Sequence, residues 1–352
     1  MSSKRTGSGT GRRPAKGAGG GDSSARAAKV DIRDVARAAG VSIATVSRVL
    51  SGRGSTALKT RENVQRVAAE LGYRPNEAGR MLRTRESGAV ALMISSMNNS
   101  FYAAIATEIE QQLTALGYVT LFGNTNEEPE LQDHFLEEVT SRSVSAILML
   151  CAVKSPNIDR LAAHQPCILV NRRLKSLGAH SFVGIDDYQA ARQLAEAIVS
   201  RGARKVGVLR GPAYSETSSA RWRGMRERLG ELGVRLDERA VVEARLSIVS
   251  GYQAAAELLG RRRRFDALFC GNDEIAYGAW RRCRELSIRV PEEMRIYGFD
   301  DNPLNQWLAP WLDTVRVPSD AYARESVAQL KRLWAGEAHR DVIVPYEVVL
   351  RS

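Results

Sequence analysis

Apolar residues along positions 31–73 recur at helical spacing and break into three short segments. Ile32, Val35, Ala36 and Ala39 share one face of the first, Asp31 is placed to cap it, and Asp34 sits at N3. Gly40 supplies the positive φ that ends a helix in a tight turn. Ser42 caps a second segment whose Val46, Val49 and Leu50 face inward. After a polar stretch, Thr60 opens a third, which buries Val64, Val67, Ala68 and Leu71.

From residue 88 the rhythm changes. Continuous apolar runs at Ala89–Ile94, Val119–Phe122, Ala146–Leu150 and Ile168–Val170 predict buried parallel strands. Helical stretches near 101–116, 130–142 and 187–201 separate or follow them. A second series has strands near Val206–Leu209, Val241–Val242, Ala267–Cys270 and Ile296–Phe299. Two such series predict two doubly wound sheets with a cleft between them as the natural ligand site.

Residues 1–29 show no such rhythm: Gly, Ser, Ala, Lys and Arg dominate, and the composition predicts a disordered basic tail. The tail lacks the apolar run of a secretory signal, and nowhere do about 18 apolar residues follow one another as a membrane span requires. Cys151, Cys167, Cys270 and Cys283 are scattered without a CxxC pair, which suits reduced thiols in the cytoplasm.

The net charge of +11 gains meaning once located. Residues 1–85 hold 18 Lys/Arg against 6 Asp/Glu, whereas the remainder holds 33 against 34. A basic module joined to a near-neutral body points to phosphate contact at one end and another task at the other.

The segment DIRDVARAAGVSIATVSRVL, Asp31–Leu50, then fits a DNA-reading helix-turn-helix, whose second helix enters the major groove. In that helix Ile43, Ala44, Ser47 and Arg48 lie away from the apolar positions. Arg48 can donate two parallel hydrogen bonds to a guanine edge, and Ile43 and Ala44 can meet thymine methyl groups. Ser42 and Thr45 can reach phosphates or bases. The bland alternative is a helical hairpin with a solvated arginine.

At this level of detail the chain resembles the lactose-repressor (LacI/GalR) family. DVARAAGVSIATVSRVLSG is similar to the family headpiece, and TRENVQRVAAELGYRPN to its third helix and the lead into the hinge. NNSFYAAIATEIEQQLTALGYVTLFGNTNEEPE resembles the first βαβ unit of the core; SARWRGM, CGNDEIAYGAW, RVPEEMRIYGFDD and TVRVP resemble later signatures. The likeness spans roughly residues 30–351. It implies an all-α helix-turn-helix headpiece followed by a periplasmic-binding-protein-like α/β core of two doubly wound subdomains. The boundaries it implies are a tail at 1–29, a DNA-binding domain at 30–74, a hinge helix and linker at 75–87, and a core at 88–352. Within the core, one subdomain takes about 88–186 plus a C-terminal crossover segment, and the other about 187–315 plus the C-terminal end.

The resemblance further implies a homodimeric regulator, a repressor in the usual case, whose paired headpieces read a pseudo-palindromic operator. Leu82 takes the place of the apolar wedge that pries open a minor-groove step, where unstacking is offset by the contacts a bend allows. Gly79 stands where the family usually has Ala, which lowers hinge-helix propensity by about 1 kcal/mol.

Family positions that meet a small effector map onto Phe101, Arg172, Thr217, Arg221, Asn272 and Asp300. Their types suit a sugar: Asp accepts from hydroxyls, Arg and Asn donate, and an aromatic ring covers an apolar face. Each also has a structural alternative, since Asn272 and Asp300 can cap turns, Phe101 can be core, and the arginines can be solvated or paired. Ser96 stands where many sugar-binding members have Asp, Ser100 replaces a common Pro, and Val317 fills an often polar place. With an acid lost and Arg172 and Arg221 kept, the charge argument leans toward a sugar acid or phosphorylated sugar. The rival within the family is control by a corepressor or a phosphorylated partner protein.

Other chemistry finds little footing. GSGTGR lacks the strand and helix of a phosphate loop, and neither GxxxxGK[ST] nor GxSxG occurs. His134, His164, His180 and His339 lack ligand spacing, so no catalytic residue, metal or cofactor is expected. The Arg261–Arg264 run reads as a solvated C-terminal helix turn. The chain ends soon after the last expected strand, which favours a dimer without further assembly.

Overall fold

The computed structural model describes residues 30–50, 56–73, 88–163, 165–178, 180–236, 238–261 and 264–352. The expected tail, the hinge with Gly79 and Leu82, His164, Arg262 and Arg263 lie outside the described residues. The chain divides into two compact units, 1–76 and 77–352.

The first unit holds α1 (Ile32–Ala39), α2 (Ile43–Leu50) and α3 (Leu58–Glu70). Asp31 accepts from the Arg33 and Asp34 amides at 2.7 and 3.1 Å, and the Asp31 amide donates to Asp34 Oδ2 at 3.0 Å. That reciprocal capping box satisfies amides that a helix start otherwise leaves unpaired. Gly40, at φ 67°, closes α1 in the left-handed region, and the Val41 amide reaches back to Ala36 O at 3.1 Å. Val35, Val46 and Val64 form a solvent-free centre with Val67, Ala68 and Val49 around them.

Two expectations for the third helix fail. It begins at Leu58 after Ala57, without a side-chain cap, so Thr60 lies inside its first turn. Leu71 is 37% exposed because α3 ends at Glu70 and Gly72, at φ 62°, swings the chain away. Tyr73 packs against the cluster in its place, its amide bonded to Ala68 O at 2.9 Å.

The second unit contains two parallel sheets. One has six strands in the order β11-β5-β4-β3-β1-β2: Asp341–Ile343, Ser181–Gly184, Cys167–Val170, Ala146–Leu150, Ala89–Ile94 and Val119–Asn124. The other has four in the order β7-β6-β8-β9: Val241–Glu243, Val206–Arg210, Ala267–Cys270 and Arg295–Tyr297. β10 (Thr314–Arg316) and β12 (Glu347–Val349) form an antiparallel pair that bridges to the second sheet at Tyr297 and Asp300. The central strands β3, β4 and β8 are buried along their whole length, as parallel strands sandwiched by helices must be.

The chain passes between the two lobes three times: after β5 into α7 (Asp187–Ser200), after β10 into α12 (Ser319–Trp334), and from β11 to β12. Helix α12 packs on β4, β5 and α4 (Ser100–Ala115) of the first lobe. Helix α7 packs on α8 (Glu216–Glu231) of the second, where a Cβ on Gly224 would sit 2.3 Å from the Tyr188 carbonyl oxygen. The carboxyl ends of both sheets lie along one interlobe cleft, the place where open α/β sheets bind ligands.

Candidate functional site

Two groups of candidate residues are on view, one in each unit. In the first, α2 buries Val46 and Val49 and turns the opposite face outward. Ser42, Ile43, Ala44 and Arg48 are exposed, and Thr45 and Ser47 are half-buried. The Thr45 amide donates to Ser42 Oγ at 3.1 Å, and the two hydroxyls lie 2.9 Å apart, so Ser42 caps the helix. Asn63 Nδ2 donates to Ala39 O at 3.0 Å and ties α3 to the turn that sets the angle of α2. The geometry brings Ile43, Ala44, Ser47 and Arg48 onto one side of a rigid helix. Leu82 lies outside the described residues.

In the second unit, five of the six candidates are buried and one, Thr217, is half-buried. Arg172 follows β4 and is 2% exposed. Its Nη2 donates to Glu127 Oε1 at 2.5 Å, and Tyr214 donates to Glu127 Oε2 at 2.8 Å from the other lobe. Arg221 on α8 donates from Nε to Asp187 Oδ1 at 2.8 Å and from Nη1 to Gly271 O at 3.0 Å. Its Nη2 lies 3.1 Å from Asp300 Oδ1, close enough for an ion pair but out of line for a hydrogen bond. The guanidinium stacks on Phe299 at 3.8 Å.

Asp300 holds φ 107°, a conformation L residues rarely adopt, kept by the Asp300 amide on Val315 O and the Val317 amide on Asp300 O. Asn272 caps α10 (Asp273–Glu285) by accepting from the Ile275 amide at 3.0 Å. Thr217 donates to Asn171 O at 3.1 Å, and Tyr322 to Asn171 Oδ1 at 3.3 Å. Phe101 begins α4, is 1% exposed and sits in the main apolar cluster, its ring 5.4 Å from that of Tyr102. Phe101 is thus core packing as placed, while the other five meet the cleft network.

Several buried polar atoms of this network make no hydrogen bond: Arg172 Nε and Nη1, Asn272 Nδ2, and the ion-paired Arg221 Nη2 and Asp300 Oδ1. Buried groups of this kind cost about 1–3 kcal/mol each when left without a hydrogen bond. A cavity of about 480 Å³ opens beside them, walled by Asn171, Arg173 and Phe182 on one lobe and Tyr188, Thr217 and Arg223 on the other. That volume suits a small molecule. Of the six candidates only Thr217 lines it; Arg172, Arg221, Asn272 and Asp300 do not.

Each of the two arginines behind the leaning toward an anion has acidic partners in the fold. Arg172 is matched by Glu127, and Arg221 by Asp187 and Asp300, so the two arginines face three carboxylates. Burial opposes the charge on Arg221, but Asp300 and Asp187 overcome it and hold the guanidinium above its ordinary range. Burial pushes Asp300 up to about 7, with Arg221 working against it. Burial and then the Asp300 charge push the neighbouring Asp273 up to about 7.

Glu127, Asp187, Tyr214, Asn171 and Tyr322 were missed by sequence reasoning. A signal for them was present: Glu127, Asn171 and Tyr214 fall in loops after strand carboxyl ends and Asp187 opens the helix that follows β5, where cleft residues of such sheets arise. Among the described residues, no cluster of three or more metal-ligating side chains occurs, and no helix is long and apolar enough to cross a membrane.

Comparison with known proteins places both units. Residues 31–76 match the family of bacterial regulatory proteins of the lacI type, and residues 195–352 match a periplasmic binding protein-like domain. The transcriptional regulator DegA of Bacillus subtilis is 31% identical, with 92% of this chain and 97% of that protein covered. The ribose operon repressor of the same organism is 32% identical over 85% of this chain and 90% of its own. Among solved structures, a CelR–cellobiose complex superposes with TM-score 0.70 at 26% identity, covering 92% of this chain and 99% of that one. The lac repressor dimer bound to operator and an anti-inducer superposes with TM-score 0.81 at 24% identity, covering 92% and 98%.

Proposed function

Because the chain belongs to the lacI family of DNA-binding transcriptional regulators, we propose that it is a homodimeric repressor released or engaged by a neutral sugar-like effector. The observation that carries the effector reading is the set of buried donors and acceptors without a hydrogen bond on Arg172, Arg221, Asn272 and Asp300. Hydroxyl groups satisfy such a mixed set, since each can donate to Asp300 and accept from the others. The carboxylates already paired to both arginines favour an uncharged polyol over a sugar acid.

On the DNA side, Arg48 reads a base edge in the major groove with Ile43, Ala44 and Ser47 beside it, while Ser42 and Thr45 contact the backbone or bases. Leu82 enters the minor groove from the hinge. The resulting complex works in the cytoplasm at the nucleoid, with no catalytic role and no cofactor. Dimerisation is supported by large apolar side chains on both flanks of α10. Ile248 and Val249 lie on one flank, and Leu304, Trp307 (76% exposed) and Leu308 on the other.

A thermal-shift screen of neutral sugars, uronic acids and sugar phosphates, read beside operator binding, tests this reading. A neutral member should raise Tm and change operator affinity together. A chain stabilised by none, yet binding operator tightly, would return the choice to a corepressor or partner protein. Turnover of a bound ligand would overturn the non-enzymatic reading.

A further inference from the structure

The two buried arginines of the cleft are neutralised differently. Arg221 meets acids of its own lobe and of the adjoining crossover, Asp300 and Asp187. Arg172 meets Glu127, which stands in the loop between β2 and α5 (Pro129–Ser141), where Asn126 and Glu127 both take left-handed backbone at φ 51° and 60°. Glu127 is only 12% exposed and receives one donor from each lobe, Arg172 at 2.5 Å and Tyr214 at 2.8 Å. A carboxylate of the protein itself therefore sits against Arg172, while Arg172 Nε and Nη1 remain without partners.

We infer that Glu127 sets the charge class of the effector. With Arg172 already neutralised, its remaining donors take uncharged hydroxyl or carbonyl oxygens, and a ligand carboxylate or phosphate meets the Glu127 charge instead of a bare guanidinium. Tyr214 adds a hydrogen bond to the same carboxylate from the other lobe, but the charge that does the discriminating is that of Glu127. The inference rests on reading the cleft as the effector site, and it adds the residue that discriminates between ligands.

The test uses the full chain and acetate as a stand-in for the missing carboxylate, at constant ionic strength. Glu127→Ala should gain a saturable Tm response to acetate with a midpoint at least tenfold below any seen in the wild type. Adding Arg172→Gln should abolish that response, and Tyr214→Phe, which keeps the charge, should behave like the wild type toward acetate. Equal acetate responses in wild type and Glu127→Ala, or a response that survives Arg172→Gln, would overturn the inference. If Glu127→Ala does not fold, Glu127→Gln carries the test with matched neutral aldoses and their uronates. Its preference should move at least tenfold toward the acid, whereas a wild type that already prefers the acid overturns the inference. A wild type silent to every sugar, with the acetate arm positive, removes the sugar reading and leaves Glu127 as the residue that neutralises Arg172.

Discussion

The outer face of α2 and the interlobe cleft do their work with opposite economies of burial. On α2 the proposed contact residues are exposed or half-buried, and what is buried beneath them, Val46 and Val49, holds the helix in place. In the cleft the contact residues are themselves buried: Arg172 and Arg221 are 2% and 4% exposed, and each is bound to acids. The difference separates recognition from stability in one unit and fuses them in the other. A change on the α2 face should alter binding and little else, whereas a change in the cleft should alter folding and ligand response together.

The sharpest way to break that contrast is Arg221→Met. Removing the guanidinium leaves Asp187 and Asp300 buried without a counter-charge, and breaking one side of such a pair costs about 3–5 kcal/mol. Urea unfolding should show a loss of that order for the second unit, and Tm should no longer respond to effector. An unchanged unfolding midpoint would mean that the cleft, like the α2 face, carries no stability in its contact residues.

The next largest effect is one of pH. Asp300 and Asp273 are each pushed up to about 7, chiefly by burial, from an ordinary value of 3.8. A carboxyl whose folded pKa is raised binds protons that the unfolded chain has released. Its stabilising contribution is therefore complete below about 4 and is lost as pH rises through about 7. Stability of the second unit should fall between about pH 4 and about pH 7, by up to about 4 kcal/mol at 1.36 kcal/mol per pKa unit for one group shifted in full. Asp273→Asn should flatten that slope while leaving the neighbouring carboxyl to titrate. A profile that rises with pH would remove the buried acids as its cause.

The same contrast explains what was legible beforehand. The α2 face is a local pattern: Ile43, Ala44, Ser47 and Arg48 are brought together by helix period alone, so reading the period finds them. Strands such as Ala146–Leu150 were legible because a fully buried parallel strand must be a continuous apolar run. The cleft is different, since Arg172 and Glu127 are 45 residues apart and Arg221 and Asp187 are 34 apart. Residue types suggested a polar site, but counting arginines without their partners made it too positive. Thr60 and Leu71 show a smaller failure of the same kind: a single cap or apolar residue is outvoted by where the neighbouring turn sends the chain.

On the α2 side, Arg48→Ala should weaken operator binding by about 1–3 kcal/mol if Arg48 makes a bidentate contact to guanine. Titrations on operator and random DNA separate the readings. A loss confined to operator assigns base readout, and an equal loss on both would assign Arg48 to phosphate alone. The apolar cluster beneath α2 should stay intact, because Arg48 is not part of it.

The smallest expected effect probes whether the first unit keeps stability and recognition apart. Asp31 lies on the far side of the Gly40 turn from α2, yet it caps α1, on which α2 packs. Asp31→Ala removes acceptors for two amides and should cost about 1 kcal/mol of stability in this unit. Operator affinity of the folded protein should then stay within about twofold, since nothing on the α2 face has changed. A larger loss of affinity at temperatures well below Tm would show that the angle of α2 depends on the α1 cap. Recognition and stability would then be fused in the headpiece as they are in the cleft.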